Sequence, residues 1–388
     1  MFALPQLPVT NRWGIKNIIQ RALRPCCARE GRGYQKPLSK GTLPSLTRPK
    51  YGLEKPPILM DVLYRGGILV PQYDLWLDPH HTRPAAFVTH AHADHMKKHG
   101  HVYASPATAA MMLARGAKRT KFHTLEWGEQ VAWNGAYVSL YPAGHVLGSS
   151  QILVEGRNGQ KLLYSGDFKM RESRASETIE VPQADVVVME TTFGRPRYEF
   201  PAHEEVMDDI RSWCRDAIAQ KRTPVLFSYS LGKGQELLAA LHGCGFPIAV
   251  HSAHAKICAV YAEHGVSFAP YDTFEEGQQL EGVLLCSKQC MRSKWWHELQ
   301  RTHRLQWANV SGWALDGGHS RGFALSDHAG YSDLLEYVRL TGAKKVWTTH
   351  GFDAEFAADL RALGLDAAPL SQSKKTAPDD QLSLFAGL

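Results

Sequence analysis

This sequence of 388 residues lacks both a cysteine framework and long apolar segments. Its seven cysteines follow neither the spacing of a small disulfide-bonded protein nor that of a zinc knuckle, so we expect a protein of the reducing cytoplasm. No run of about 18 apolar residues occurs, which excludes the usual membrane-spanning helix. Hydrophobic residues nevertheless make up 44% of the chain, enough for a large core and about two domains.

A net positive charge is lacking outside the N-terminal region. The formal net charge is +6, but residues 1–50 hold ten Lys/Arg and one acidic residue, Glu30, so they account for +9 and the rest of the chain for −3. An argument for nucleic-acid binding from net charge would therefore describe the N-terminal region alone. Phosphate contacts of the remaining chain must come from small local clusters of Lys and Arg.

Residues 1–57 are rich in proline and weakly periodic, which predicts a mostly disordered basic extension. Three interpretations stay open. The extension is a targeting peptide, a nucleic-acid-binding arm, or an upstream segment that the folded protein, beginning near Met60, does not need. Residues 371–388 are predicted to be a flexible tail.

The region between these ends has the pattern of an α/β protein. Residues 58–167 are predicted to form short strands, and Asn-Gly pairs at 134–135 and 158–159 indicate two hairpins. Residues 184–191 are typical of a strand buried on both faces. From residue 193 strands and helices alternate, which favours a parallel sheet, and a strand over 321–327 begins the last part of the fold.

The segment AAFVTHAHADHMKK carries the most specific chemical signal. It contains His90, His92, Asp94 and His95 directly after a predicted strand. His90 and His92 are two residues apart, so an extended chain projects both side chains to one side. Imidazole and carboxylate ligands suit zinc, and also manganese or iron. The segment therefore predicts a metal site.

Further candidate ligands follow other predicted strands. His145, Asp167 and His350 each come after an apolar strand-like segment. Asp78 ends the segment DLWLD and is better placed to accept a hydrogen bond from a ligating histidine than to bind metal itself.

The order of these residues resembles the metallo-β-lactamase superfamily, from about residue 61 to 365. The resemblance implies an αββα sandwich built from residues 58–192 and 321–370, with an α/β β-CASP domain inserted at 193–320. The phrases YPAGHVLGSSQI, METTFGRPRY and LSDHAGYSDLLEYV are similar to those of bacterial ligase-associated DNA exonucleases. Crosslink-repair nucleases of the Artemis type and nucleases that cleave messenger-RNA 3′ ends are more distant likenesses.

The resemblance also implies roles: three histidines hold one Zn²⁺, three further residues hold a second, and one aspartate bridges both. The ligands of the first ion would be His90, His92 and His145. Those of the second would be Asp94, His95 and His350, and the bridging aspartate would be Asp167. The two ions, for which Mn²⁺ is an alternative, would share a hydroxide that attacks a phosphodiester. His328 would protonate the leaving oxygen, Glu190 would orient His328, and Asp94 is grouped with these two as a catalytic residue.

Candidate nucleic-acid contacts lie close to these motifs. Arg171, Arg195 and Arg197 follow the predicted metal-site strands and are positioned to contact phosphates. Lys233, at a helix start after a strand, could hold phosphate together with the helix amides. Aromatic residues beside basic ones could stack unpaired bases. These aromatic residues are Tyr198, Phe200, Trp295 and Trp296.

The tail contains a short peptide that resembles the motif by which bacterial DNA enzymes bind the replication sliding clamp. It consists of Gln381, Leu382, Ser383, Leu384 and Phe385. Its apolar side chains could fill a cleft on the clamp while the polar linker keeps the peptide accessible. The alternative is an apolar tail folded onto the domain.

The favoured function is a metal-dependent DNA exonuclease acting in repair in the cytoplasm. The resemblance implies a functional link to an ATP-dependent DNA ligase. An RNA-processing ribonuclease is the first alternative, because no motif distinguishes the sugar. A small-molecule metallohydrolase is less favoured because of Glu190, His328 and the insertion, and a non-catalytic binding module is less favoured because no ligand position is vacant.

Overall fold

The computed structural model describes residues 60–317 and 321–373. The basic extension at 1–57 and the clamp-like residues 381–385 lie outside the described residues, so the predictions made for them stay predictions. Among the described residues, no helix is long and apolar enough to cross a membrane.

Strands and helices alternate through the described residues, which confirms the mixed α/β class. The strands are β1 Leu63–Tyr64, β2 Ile68–Val70, β3 Leu75–Leu77, β4 Ala85–Phe87, β5 His101–Ala104, β6 Lys121–Thr124, β7 Val131–Trp133, β8 Ala136–Pro142, β9 Ser150–Gly156, β10 Lys161–Tyr164, β11 Val186–Glu190, β12 Thr223–Phe227, β13 Ile248–His251, β14 Asp272–Phe274, β15 Val283–Cys286, β16 Leu305–Val310, β17 Gly322–Phe323, β18 Lys345–Thr349 and β19 Asp366–Pro369. The α-helices are α1 Pro106–Ala114, α2 His203–Ala219, α3 Lys233–Ala240, α4 Ser252–Glu263, α5 Lys294–Thr302, α6 Tyr331–Thr341 and α7 Asp353–Ala362.

The first six strands form one sheet in the order β1-β2-β3-β4-β5-β6. The pairs from β1 to β3 are antiparallel, whereas those from β3 to β6 are parallel. Helix α1 follows β5 and begins at Pro106, where a missing N–H costs nothing. Ser105 caps this helix, because its hydroxyl accepts a hydrogen bond from Thr108 N at 3.2 Å. Since β3 and β4 are parallel, the residues that follow them lie at the same edge of the sheet.

The second sheet has the order β19-β18-β11-β10-β9-β8-β7. Both predicted hairpins are confirmed, as β7–β8 and β9–β10. The first turns at Asn134 and Gly135 with φ of 43° and 94°, the positive values that a two-residue hairpin favours. Strand β11 is buried at every position and runs parallel to β10 and β18. These three strands therefore end at the same edge.

The third sheet is parallel throughout, in the order β14-β13-β15-β12-β16-β17, as the alternation after residue 193 predicts. The strand predicted over 321–327 is shorter, because only Gly322–Phe323 pairs with β16. The chain then turns, and the Ser326 hydroxyl accepts a hydrogen bond from His328 N at 3.1 Å. This turn ends the strand and places His328 in a loop.

An apolar cluster connects helix α1 with the helices that follow the third-sheet strands. Met111 of α1 packs in this cluster with Leu231, Ile257 and Tyr261. The Tyr261 hydroxyl also accepts a hydrogen bond from Leu147 N at 3.2 Å. The cluster therefore holds the loop that carries His145, and each fully buried apolar side chain adds about 1.5–3 kcal/mol.

Candidate metal centre

The candidate ligands lie at the converging strand ends. In the first sheet Asp78 follows β3 and residues 90–95 follow β4. In the second sheet Asp167 follows β10, Glu190 ends β11 and His350 follows β18. The parallel pairing within each sheet therefore gathers these residues at two edges.

Four side chains direct one donor atom each toward a common point. The donor atoms of His90, His92, His145 and Asp167 all lie within 4.8 Å of one another. His92 Nδ1 is 3.0 Å from His90 Nε2 and 3.1 Å from His145 Nε2. Asp167 Oδ2 is 3.5 Å from His90 Nε2 and 3.8 Å from His145 Nε2. Ligands of a tetrahedral zinc ion stand ~3.3–3.4 Å apart, given bonds of ~2.0–2.1 Å. The donor set therefore has the dimensions of a metal site.

Main-chain carbonyls fix the orientation of two of these rings. His92 Nε2 donates to Leu231 O at 3.1 Å, and His145 Nδ1 donates to Asp327 O at 2.7 Å. A carbonyl oxygen can only accept, so these two nitrogens carry the protons. In the neutral rings, His92 Nδ1 and His145 Nε2 are therefore the unprotonated nitrogens, and both face the common point.

Asp78 fixes two further rings. Its Oδ2 accepts from His95 Nδ1 at 2.7 Å, from the Tyr164 hydroxyl at 3.0 Å and from the Thr89 hydroxyl at 2.6 Å. Thr89 Oγ1 in turn lies 3.0 Å from His90 Nδ1, and because this hydroxyl donates to Asp78 it accepts from the ring. One carboxylate thus orients His95 directly and His90 through Thr89.

Three unprotonated nitrogens consequently face one another, and the one on His92 lies at hydrogen-bond distance from the other two. They belong to His90, His92 and His145, and no proton is available between the neutral rings. Lone pairs at this separation repel one another unless a cation lies between them. The orientation of the rings, together with the buried carboxylate of Asp167, fits a bound divalent metal ion.

A second group of predicted ligands also adjoins Asp167. His95 Nε2 is 3.5 Å from Asp167 Oδ2 and 3.8 Å from Asp94 Oδ2. The His350 ring lies 5.7 Å from the His95 ring. Asp94 and His350 are exposed, so this second position is more open than the first. Asp167 Oδ2 faces both groups.

Glu190 and His328 form a pair beside the histidine cluster. His328 Nδ1 donates to Glu190 Oε1 at 2.8 Å, and the His328 ring lies 4.6 Å from the His145 ring. Burial alone would lower the pKa of His328, but the Glu190 carboxylate outweighs it and raises that pKa to about 10. Burial would likewise raise the pKa of Glu190, yet His328 holds it below the usual range. The pair is therefore an imidazolium–carboxylate pair at neutral pH.

The ligand histidines differ in protonation. Burial, followed by the neighbouring histidines, lowers the pKa of His90 and of His145 well below 6.5, which leaves both rings neutral as metal ligation requires. Burial would also lower the pKa of His95, but the carboxylates of Asp167 and Asp78 outweigh it and raise the pKa to about 10. Metal ligation by His95 would therefore release a proton.

The side chain of Lys233 is buried, whereas the predicted phosphate contact requires it to be exposed. Its side chain is 1% exposed, and Nζ lies 3.4 Å from Glu236 Oε2 and 3.5 Å from Asp327 Oδ1. Glu236 also pairs with Lys169 at 2.8 Å. This placement corrects the interpretation of Lys233, because the first turn of α3 directs the ammonium group into a buried ionic network and leaves no face for a phosphate.

The three predicted phosphate-binding arginines all have protein partners. Arg171 donates to two main-chain carbonyls, at 2.5 and 2.9 Å. Arg195 pairs with Glu355 at 2.5 Å, and Arg197 pairs with Asp316 at 3.1 Å. Arg195 and Arg197 keep exposed guanidinium groups, so their phosphate contacts stay a prediction.

The aromatic residues singled out in the sequence are mostly part of the core. Tyr198, Phe200 and Trp296 are buried, and the Trp295 ring lies 5.0 Å from Phe274. Trp313, which packs against Tyr198, is exposed, and sequence reasoning missed it. Its neighbours in sequence are not basic, so the search for aromatic residues among cations passes over it.

Two further contacts have no sequence signal. The carbonyl groups of Leu231 and Asp327 orient His92 and His145, and a main-chain acceptor leaves no trace in residue type. The position of Asp327 next to His328 is the one available hint.

Comparison with known proteins finds similar sequences among DNA- and RNA-processing proteins. No family model matches the sequence. The chain is 41% identical over 333 residues to a "Probable DNA ligase" of Opitutus terrae, covering 84% of this chain and 32% of that protein. It is 25% identical over 300 residues to "DNA cross-link repair protein SNM1" of Arabidopsis thaliana, covering 68% and 60% of the two chains. It is 31% identical over 133 residues to "RNase aCSPSF2" of Saccharolobus solfataricus, covering 34% and 26%.

The chain spans about a third of the length of the Opitutus protein and 60% of the Arabidopsis protein. The similar proteins and the order of the candidate metal ligands at the strand ends both support membership of one family. The chain belongs to the metallo-β-lactamase superfamily, in its β-CASP branch.

Proposed function

We propose that this protein is a metal-dependent nuclease that hydrolyses phosphodiester bonds of DNA as an exonuclease in repair. The observation that carries the proposal is the set of three facing histidine nitrogens and a buried aspartate beside the Glu190–His328 pair. A hydrolase of phosphodiesters needs a metal site and a proton donor for the leaving oxygen, and these groups supply both.

The residues that would hold metal divide into two sets around Asp167. His90, His92 and His145 suit one zinc ion. Asp94, His95 and His350 suit a second, and Mn²⁺ is the alternative metal. When bound, such ions neutralise phosphate charge and activate water. The likeness to the family further supports an αββα sandwich from residues 58–192 and 321–370 with an insertion at 193–320.

The remaining chemistry belongs to side chains of this chain. The imidazolium of His328 can give its Nε2 proton to the leaving sugar oxygen, because Glu190 occupies Nδ1 and keeps the ring protonated at neutral pH. Glu190 is itself held by Phe168 N at 2.9 Å and by Thr192. The proton donor therefore has one fixed orientation before substrate binds.

The name of the Opitutus relative, "Probable DNA ligase", supports DNA as substrate, and the family resemblance implies the link to an ATP-dependent ligase. RNA is the second candidate, because a 133-residue part of the chain is 31% identical to a protein named as an RNase. A cytoplasmic location and a sliding-clamp contact through residues 381–385 are further parts of the proposal.

The test uses end-labelled single- and double-stranded DNA and RNA with the wild-type protein and an Asp94→Ala, His95→Ala variant. We expect stepwise shortening of DNA that EDTA abolishes, that Zn²⁺ or Mn²⁺ restores and that the variant lacks. His101→Ala is the matched control, because His101 pairs with His123 at 2.8 Å outside the cluster. Activity that survives in the double variant would refute the metal assignment, and faster turnover of RNA would favour the second candidate.

A further inference from the structure

Trp313 presents an aromatic ring to solvent on a fixed support. Its side chain is 45% exposed, although the ring lies 4.7 Å from Phe193 and 5.7 Å from Tyr198. Both of these neighbours are buried and belong, with Phe200, to one apolar cluster. One side of the indole is therefore packed, while another part of it is left open to water.

The backbone is adapted to this close packing. Trp313 lies in a 3₁₀ helix, Gly312–Asp316, whose start is capped by Ser311, since its hydroxyl accepts from Trp313 N at 3.3 Å. A Cβ atom on Gly312 would lie 2.5 Å from Phe193 Cζ. Only glycine allows the helix to approach the cluster this closely, so the position of the indole is set by the core.

Trp313 is also close to the reaction centre. The Phe193 ring lies 6.1 Å from the His328 ring, so one aromatic ring separates the exposed indole from the proposed proton donor. Two arginines border the same cluster. The Arg195 guanidinium lies 4.0 Å from the Phe352 ring centre, and that of Arg197 lies 4.7 Å from the Tyr198 ring centre.

We propose that Trp313 stacks an unpaired base of the nucleic-acid strand whose phosphodiester lies at the metal site, while Arg195 and Arg197 contact neighbouring phosphates. Exposed ion pairs contribute little stability, so phosphate oxygens can replace the carboxylates of Glu355 and Asp316. An exposed aromatic ring can stack on any base, because every base has a π-face. The substrate is then a strand that is single-stranded beside the cleavage point. This inference rests on the proposed function.

The test measures the Kd of dye-labelled single-stranded DNA by fluorescence anisotropy, with intact strands and with strands carrying one abasic residue at successive positions. We expect Trp313→Ala to weaken binding of the intact strand roughly 5- to 100-fold. One abasic position should weaken wild-type binding similarly and should have no further effect in the variant. Trp313→Leu, which keeps apolar contact with Phe193 but lacks a π-face, should behave like Trp313→Ala. Trp307→Ala, at a tryptophan that is 38% exposed and packed on Trp296, should bind like wild type.

The outcomes separate the two proposals. If the wild-type protein cleaves DNA but both Trp313 variants bind the intact strand as it does, the stacking proposal is wrong and the proposed function stands. Additive losses from the abasic residue and the Trp313 substitution would also overturn stacking. If the wild-type protein neither cleaves nor binds nucleic acid, the proposed function fails and the stacking site fails with it.

Discussion

Replacing Lys233 by Met should destabilise the fold rather than weaken phosphate binding. The ammonium group lies between the carboxylates of Glu236 and Asp327 in a buried network. Met has nearly the same length, so the substitution removes the charge with little change of volume. It leaves the Asp327 carboxylate without its lysine partner in a site of low dielectric.

The expected loss is about 3–5 kcal/mol of unfolding free energy, the range for removing one partner of a buried ion pair. Glu236 keeps Lys169 at 2.8 Å, so most of the loss falls on Asp327. At ~2–4 °C per kcal/mol for a domain of this size class, the melting temperature should fall by ~6–20 °C. Lys233→Met combined with Asp327→Asn should recover part of the loss, because the unpaired charge is removed.

Urea and thermal unfolding measure the effect, and anisotropy with labelled DNA measures binding. Lys344→Met is the matched control, since this lysine pairs with Asp185 at 3.0 Å but its side chain is 70% exposed, which predicts a change of less than about 1 kcal/mol. A Lys233→Met protein within about 1 kcal/mol of wild type that binds DNA more weakly would refute the burial argument and restore the phosphate interpretation.

Three further perturbations follow from the same contacts. Asp78→Asn should lower metal affinity about 10- to 100-fold, because Asp78 orients His95 and His90, and chelator competition measures it; an unchanged affinity would contradict that role. In wild type the pKa of Glu236 is held well below 4.5, since Lys169 and Lys233 outweigh burial. The wild-type protein should therefore exceed Glu236→Gln in unfolding free energy by its full margin above pH 4.5, and this margin should shrink as the pH falls below 4.5. Unfolding free energies of the two proteins that run parallel against pH would contradict this. Gly312→Ala should lower the free energy of unfolding in urea by about 1–3 kcal/mol through its clash with Phe193. An unchanged free energy would show that the side chains of the Phe193 cluster rearrange to accommodate the methyl group.

Sequence reasoning succeeds where a single local segment determines the geometry. The Asn134–Gly135 turn forms its hairpin because both residues tolerate positive φ. Strand β11 is buried because its residues are apolar except for Glu190, which ends the strand at the candidate site. The 90–95 motif follows a strand end, as its sequence context predicts, and its role in metal binding stays a prediction. In these cases residue type and spacing alone carry the information.

It fails where distant segments decide the environment. Lys233 has the sequence context of a phosphate-binding helix start, but the carboxylate of Asp327, 94 positions later, takes its ammonium group. Tyr198 and Trp296 have basic neighbours in sequence, yet packing buries their rings, while Trp313 is exposed without such neighbours. Burial and ion pairing between remote segments have no local sequence pattern, so the environments of these four residues could not be predicted from the sequence.

The same remote contacts explain why the metal-site histidines are oriented so consistently. Leu231 O holds His92 and Asp327 O holds His145, and Lys233, two residues beyond Leu231, forms its ion pair with Asp327 itself. One buried ion pair thus joins the two loops whose carbonyls set the inner nitrogens of both rings. Separating these loops would turn the rings, because each carbonyl is the partner that fixes its imidazole. The destabilised Lys233→Met protein should therefore also bind metal more weakly than the Lys344→Met control, even though Lys233 itself contacts no ligand side chain.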